Sequence, residues 1–480
     1  DVNIKNTVME ISSEGVSGGK TTLSGNVNGE KGEGKISLRV EELTQDFVSL
    51  VAAPYLEEWS IPSLRLNTDQ NISFADGFKK ITAGGETKAS QFLLRKRETG
   101  KDMTRSLDMR FTNNITYEDN QVSVSDASLY ASSGDFPEEK ITLTGNILTG
   151  ESAADQKSKL NLRSDKISLD HYLSPELLSE EKDEKSSGQE QPGDSEEASP
   201  EEQQDFEAMD LDFLRFDGNA QIAELLFREV EVKDLASDVN MAESRLEFPN
   251  ATMKLNGAES KASGHVKFDV PGWEYAVNSN VDGLDLKATV NTFVPRFKDR
   301  FSGKLFFKTD ISGRGTTPEN LQKHLRGWIK GTAKDGKISE IPILTSLAEV
   351  TNIDELQQLR FFKGIVDLVI EEGKVKINDL YFQGDLEKLG LRGWFGLNKS
   401  IDLSLRLALA DYLAEELRDI KYLGDALTDD EGYTELPVPV KMTGTFYNPK
   451  PKLDLKESLK DTGEKVLKDL INKELNNLFD

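Results

Sequence analysis

The residue types that usually carry catalysis or bind metals are few and scattered in this chain of 480 residues. There is no cysteine, which excludes a disulfide scaffold and a thiolate metal site. The three histidines are His171, His265 and His324, and none belongs to the HxxxH or HExxH spacing that places two ligands on one helix face. We therefore predict neither a metal site nor a cofactor.

Motifs for nucleophilic or phosphate chemistry are also missing from the sequence. It contains no GxSxG elbow, no Walker lysine loop and no GxGxxG between a strand and a helix. The acidic run at 429–435 lacks the ligand spacing of a calcium loop and is interpreted as an exposed turn. Carboxylates are so abundant that a chance pair at glycosidase separation stays possible. We predict that the protein is not an enzyme.

The net charge of −26 argues against a nucleic-acid partner, which requires a basic surface. It also argues against broad adhesion to anionic lipid. No run of about 18 apolar residues is present, so no segment is expected to span a bilayer. The chain begins at Asp1 without methionine, and we expect that an N-terminal signal or anchoring helix was removed or left out.

The elements around these residues are indicated by a repeated pattern. Residues 244–269 and 373–398 align without a gap, and 122–147 give a looser third copy. Aligned positions include Leu246 with Val375, Phe248 with Ile377, Met253 with Phe382, and Gly264 with Gly393. Apolar residues alternate with polar ones, as in strands, where successive side chains leave opposite faces. The pattern predicts an array of strands with one apolar face that must be covered or used.

Composition divides the chain into four regions. We predict a strand-rich segment at 1–178, a disordered acidic linker at 179–205, a second strand-rich region at 206–454 and an amphipathic helix at 455–480. Short helices are expected at about 44–56, 343–359 and 411–427. Another should follow Thr317, which can cap it, with Pro318 at the first helical position.

Two interpretations of the apolar face stay open on these patterns. In one, helices or a second sheet cover the face, and the alternating leucines at 403–409 are core. In the other, the sheet curls into an open trough that holds lipid tails, which need low-dielectric cover rather than hydrogen-bonding partners. Periodicity alone favours the covered core.

A family resemblance favours the trough. Residues 211–453 resemble the C-terminal region of the AsmA-like proteins of Gram-negative bacteria, relatives of TamB. The resemblance rests on an ordered series of segments, among them FSGKLFFKTDISGRG (301–315), KGTAKDGKI (330–338) and MTGTFYNPKPKLDL (442–455). The last is the most specific, whereas the first 150 residues fit only as strands of similar style.

The resemblance implies an inner-membrane-anchored periplasmic protein similar to the bridge-like lipid transfer proteins. Its expected fold is an elongated, curled antiparallel β-sheet with an open groove, a few helices at its ends and edges, and the C-terminal amphipathic helix. Its expected partners are phospholipids, the inner or outer membrane, and envelope proteins. The family has no catalytic residues to transfer. The alternative function is a non-enzymatic periplasmic scaffold or assembly factor for outer-membrane proteins.

Alternation within the repeats and the later strands selects the residues expected to line a lipid groove. They are Leu246, Phe248, Met253, Leu255, Val375, Ile377, Leu403, Leu405, Leu407, Leu409, Val438, Val440 and Met442. A register error of one residue would exchange this face for the opposite one. If the assignment holds, Leu405→Asp should block lipid passage while the protein stays folded.

Overall fold

The structure is a computed structural model. It describes residues 1–13, 16–52, 59–149, 157–175, 205, 207–315, 317–351, 353–410, 413–414, 428–436 and 439–453. The predicted amphipathic helix at 455–480 lies outside the described residues. So do nearly all of the acidic linker and of the helix expected at 411–427.

The chain divides into two compact units. Unit 1 comprises 1–200 and 211–253, and unit 2 comprises 201–210 and 254–480. In each unit the strands form an open, mostly antiparallel sheet with few helices. The prediction of a mainly β fold built on an open sheet is therefore confirmed.

In unit 1, segments with alternating apolar and polar residues form long strands joined by short turns. Each strand from β1 to β8 pairs antiparallel with the next, and β11 then lies parallel to β9 and β10. The strands are β1 (Val2–Ser13), β2 (Val16–Asn28), β3 (Glu33–Thr44), β4 (Trp59–Ala75), β5 (Lys80–Lys96), β6 (Leu107–Glu118), β7 (Gln121–Ser132), β8 (Glu139–Leu148), β9 (Ser158–Ser164), β10 (Ile167–Ser168), β11 (Phe216–Phe227), β12 (Val230–Ala242) and β13 (Arg245–Leu255), which ends in unit 2. The helices are α1 (Gln45–Ala52) and α2 (Leu169–Tyr172).

In unit 2 the strands also follow one another in antiparallel order, and β21 pairs with β20, β22 and β23. The strands are β14 (Ala258–Lys267), β15 (Glu274–Asp285), β16 (Phe301–Arg314), β17 (Arg326–Ser339), β18 (Gln358–Glu371), β19 (Lys374–Gln383), β20 (Glu387–Gly396), β21 (Ser400–Ala410), β22 (Tyr433–Glu435), β23 (Val440–Thr445) and β24 (Asn448–Leu453). The helices are α3 (Leu286–Phe293), α4 (Pro318–His324) and α5 (Pro342–Thr351), with 3₁₀ turns at Pro295–Phe297 and Asp354–Gln357.

The helices follow the sequence signals closely. The backbone N–H of Asn320 donates to the Thr317 hydroxyl at 3.4 Å, which caps α4 as predicted. The helix expected at 44–56 is α1. The stretch expected as helix at 343–359 is divided between α5, a 3₁₀ turn and the start of β18. Within the described part of the chain, no helix combines the length and apolar composition needed to cross a membrane.

Candidate functional site

Strand register places the apolar side chains of unit 1 on one face of its sheet. Residues directly opposite each other in paired strands share a face, so the register can be followed from strand to strand. This surface, called face A, carries Leu23, Ile36, Leu38, Ile72, Phe74, Ile81, Met109, Phe111, Ile115, Leu129, Ile141, Leu143 and Leu162. Gln70 and Asn113 are polar members of face A. Eight neighbouring strands, β2 to β9, thus contribute to one largely apolar surface.

The opposite face of unit 1 is polar. The Ser37 hydroxyl donates to Asn71 Oδ1 at 2.6 Å, and the Arg39 guanidinium lies 2.6 Å from Asp69 Oδ2 across the same strand pair. The hydroxyls of Thr82 and Thr116 are 3.2 Å apart. Such cross-strand polar pairs are typical of a sheet surface that faces water.

Face A is only partly covered by the described residues of unit 1. Most of its side chains are half-buried, and Phe111 is 39% exposed. The buried apolar residues among the described part of this unit are Leu64, Leu107, Val124, Met241 and Ala251. The helix α1 packs on β2, β3 and β4 at one side. An apolar surface of this extent, which the described residues cover only in part, is a candidate binding surface.

Face A also carries a buried carboxylate. Glu139, the first residue of β8, lies opposite Ala131 and is 6% exposed. Its Oε2 accepts from the Ser168 N–H at 2.8 Å and from the Tyr172 hydroxyl at 2.6 Å, and its Oε1 lies 3.4 Å from His171 Nδ1. Burial opposes ionisation, but the hydrogen bonds outweigh it and hold the pKa of Glu139 below its usual range. These contacts fix α2 against β8.

In unit 2 the corresponding apolar face is covered. Helix α5 begins at Pro342, and its Ile343, Leu344, Leu347 and Ala348 fall on one face at helical spacing. These residues belong to one packed core with predicted groove residues from β19, β21 and β23. Those residues are Ile377, Leu403, Leu405, Leu407, Leu409, Val440 and Met442. Both Leu405 and Leu409 are 0% exposed. These predicted groove residues are therefore buried in a hydrophobic core of unit 2.

A comparison with models of protein families identifies the family of this chain. Residues 55–380, more than half of the sequence, match the model of the AsmA family. The chain belongs to the AsmA family. No curated protein and no solved structure matches it. The family assignment made from sequence is confirmed, and family membership points to an envelope-associated, generally non-enzymatic role in lipid transport or assembly.

The matched range differs from the segments that first suggested the family. It begins at residue 55, in a region whose strands were considered generic, and ends at Leu380 in β19. It therefore includes most of the strands that form face A, and it stops before the 442–455 segment.

The remaining predicted groove residues have varied positions. Leu246, Phe248 and Met253 in β13 are half-buried within unit 1. In unit 2, Leu255 packs beside Ala258, Val281 and Leu284, and Val375 is buried. Val438 lies outside the described residues. Contact of these residues with lipid stays a prediction.

Most of the predicted groove residues lie in unit 2, and none of the residues that define face A is among them. Alternation in segments such as Ile36-Leu38 or Met109-Phe111 predicted strands, but not which strands would be neighbours.

The structure also extends the sequence repeat, because EKITLTG (139–145) and EKLGLRG (387–393) begin β8 and β20 in the same way. A Cβ at Gly145 would clash with the carbonyl oxygen of Lys159, and one at Gly393 with that of Asp402. The repeated glycine permits close approach of the next strand.

The second buried glutamate has a different environment from the first. Glu387 in β20 is 2% exposed, and it accepts a hydrogen bond from the Arg360 N–H at 3.3 Å. Burial raises the pKa of Glu387 to about 7, and the nearby Asp385 adds to the shift. The same sequence position thus holds a carboxylate that favours ionisation in unit 1 and one that resists it in unit 2.

Proposed function

We propose that this AsmA-family protein holds phospholipid acyl chains on face A and conducts them through the periplasm between the inner and outer membranes. This activity would support lipid homeostasis of the outer membrane. The observation that carries the proposal is an apolar surface built from many strands whose side chains are half-exposed, with Phe111 39% exposed. The polar opposite face would remain in water.

The chemistry of face A suits hydrocarbon chains. Aliphatic and aromatic side chains such as Ile72, Phe111 and Leu129 offer low-dielectric cover without directional bonds, so acyl chains of different lengths could slide along them. Burial contributes about 0.8 kcal/mol for each CH₂ group removed from water. One acyl chain therefore gains on the order of 10 kcal/mol before the cost of ordering it is subtracted.

The decisive experiment compares two double variants that introduce the same charge on opposite faces. Phe111 and Leu129 lie opposite each other on face A, whereas Ser123 and Asn146 lie opposite each other on the polar face. Gently purified wild-type protein, F111D/L129D and S123D/N146D would be studied by native mass spectrometry and by lipid mass spectrometry after extraction. Circular dichroism would confirm that all three are folded.

We expect phospholipid to copurify with the wild type and with S123D/N146D, and to be strongly reduced in F111D/L129D. The same order is expected for transfer of a fluorescent phospholipid between vesicles. Equal lipid content in the two folded variants would refute the assignment of lipid to face A. A lipid-free wild type would favour the scaffold or assembly function, for which the covered core of unit 2 is the observation in support.

A further inference from the structure

On the side of its sheet opposite the packed core, unit 2 has a cavity of about 440 Å³ above Gly390 of β20. The strand register places Gly390 between Tyr381 of β19 and Arg406 of β21. Along β20, Lys388 and Arg392 lie two residues before and after the glycine, so their side chains leave the same face of the strand. All four side chains line this cavity, called the Gly390 cavity, and the glycine forms its floor.

The repeated EKxxLxG motif differs between its two copies at this cavity. Where β20 has Gly390 and Arg392, β8 of unit 1 has Thr142 and Thr144. A Cβ at Gly390 would find its nearest neighbouring atom, a backbone oxygen of β21, 4.0 Å away, and the φ of this glycine lies outside the left-handed region. Close packing therefore does not require the glycine. Relative to the copy in unit 1, its absent side chain leaves space beside an added cation.

Donor groups from three neighbouring strands line the Gly390 cavity. Among the described residues, the side chains of Tyr381 and Arg392 have no hydrogen-bond or ion-pair partner. The Arg406 guanidinium lies 3.9 Å from Glu435 Oε1, which is longer than a hydrogen bond. Guanidinium groups bind phosphate oxygens through paired N–H donors, and a tyrosine hydroxyl can donate one more hydrogen bond. This set of donors suits the several oxygens of a phosphate group better than the two of a carboxylate.

Carboxylates at the rim of the cavity supply the opposite charge. Asp429 and Glu435 approach from the segment 428–435, and Asp379 from β19. The segment is fixed to β20 because Lys388 Nζ lies 2.5 Å from Asp429 Oδ2 and its side chain is 13% exposed. Among the described residues that line the cavity, three cations are matched by three carboxylates. Such a lining complements a ligand that carries both charges itself.

We propose that the Gly390 cavity binds a small phosphate–ammonium zwitterion, the chemistry of a glycerophosphoethanolamine group. The phosphate lies over Gly390, within reach of Arg392 and Arg406. The ammonium group faces Asp429 and Glu435. This group exists both as a free solute and as the headgroup of a phospholipid, and the cavity recognises what the two share. The site is in unit 2 and does not depend on the function proposed for face A.

The test measures binding of sn-glycero-3-phosphoethanolamine to the full chain by isothermal titration calorimetry. Two control ligands each lack one charge: glycerol 3-phosphate has no ammonium group, and ethanolamine has no phosphate. Dihexanoylphosphatidylethanolamine, a soluble lipid with the same headgroup, distinguishes the two sources of the ligand.

The test variant is G390T/R392T, which gives β20 the two residues found in the other copy of the motif. Threonine favours strands, so the variant should fold, and circular dichroism would confirm it. Its matched control is G84T/R326T, which makes the same replacements in β5 and β17, outside the lining of the cavity. A Cβ at Gly84 would make an ordinary contact with the Asn113 oxygen at 3.5 Å.

We expect saturable binding of the zwitterion to the wild type and to G84T/R326T with equal affinity. Affinity should fall by about tenfold or more in G390T/R392T, because the floor is filled and a charge-assisted contact is lost. Both control ligands should bind more weakly than the zwitterion by a similar factor. Equal affinity for the soluble lipid shows that the headgroup alone is recognised. Tighter binding of the lipid that G390T/R392T weakens assigns the cavity to a lipid headgroup.

Three results would overturn the proposal. The first is a lack of saturable binding of the zwitterion to the wild type. The second is equal affinity of the two folded variants, which would place the ligand elsewhere on the chain. The third is binding of glycerol 3-phosphate as tight as that of the zwitterion, which would show that the rim carboxylates recognise no ammonium group.

Discussion

The same alternation of apolar and polar residues gives a buried core in unit 2 and a half-exposed surface in unit 1. In β21, Leu403, Leu405 and Leu407 alternate with polar residues and are buried in a core that includes the apolar side of α5. In β6 and β7, Met109, Phe111 and Leu129 alternate in the same way and remain half-exposed on face A. An alternating strand therefore forms a core or an open surface according to what is packed on it.

The two buried glutamates repeat this comparison on a smaller scale. Glu139 and Glu387 begin the same EKxxLxG motif, six residues before a glycine. The first accepts hydrogen bonds from Ser168 and Tyr172, so its charge is compensated. The second is buried in unit 2 and accepts one hydrogen bond, from the Arg360 N–H. Partner groups rather than burial alone decide the direction of each pKa shift.

The largest effect should come from a charge placed in the covered core. Leu405→Asp puts a carboxyl group where no side-chain surface is exposed, so we expect the free energy of unfolding of unit 2 to fall by about 5 kcal/mol. This result would replace the earlier expectation of a folded variant. Urea denaturation and hydrogen exchange in β19–β21 would measure it. Phe111→Asp on face A should cost far less, and equal losses would contradict the comparison.

Shortening a leucine to alanine should also destabilise the protein more in unit 2 than in unit 1, but by a smaller margin than a charge does. Leu405→Ala removes buried methyl groups and leaves a cavity, at a cost of about 3–5 kcal/mol. Leu129→Ala at a half-buried position of face A should cost about 1 kcal/mol, because less apolar contact is lost. Urea midpoints with unchanged slopes would report both values. A loss at Leu129 as large as that at Leu405 would show that face A is covered in solution.

The smallest effect concerns pH. The pKa of Glu387 is raised to about 7 in the folded protein from an ordinary 4.5, so the carboxyl stays protonated when the unfolded chain has already ionised. The contribution of Glu387 to the free energy of unfolding is therefore fully present below about pH 4.5. It declines as the pH rises to about 7 and is constant above that. At about 1.4 kcal/mol per pKa unit, the decline between about pH 4.5 and about pH 7 is on the order of 3 kcal/mol.

The matched variant for this pH effect is Glu387→Gln, which keeps the shape of the side chain and cannot ionise. Its urea midpoint should change less than that of the wild type between pH 5 and pH 7.5. A wild-type profile that rises over this range would show that Glu387 is charged in the folded state. Glu139 should not contribute to a decline, since its pKa is lowered.

Local features were predictable because they depend on neighbouring residues in the chain. The cap of α4 by Thr317 and the strand at Leu403–Leu409 both follow from short patterns, and both are present. The family resemblance was visible in segments such as 301–315. Face A was not predictable in the same way. Its members, such as Leu38 and Ile72, are brought together by the register of strands that are distant in sequence.

The sequence by itself determined that this protein is mainly β, that its strands have one apolar and one polar side, and that it belongs to the AsmA family. Side-chain alternation and hydrophobicity suffice for the first two properties, whereas the family is recognised from specific segments such as 301–315. The tertiary structure sets which apolar surface the described residues bury and which they leave partly exposed, because the packing of α5 in the core of unit 2 and the exposure of Phe111 in unit 1 depend on long-range contacts. Burial is a property of neighbours in space, and the same alternating segment can specify either environment.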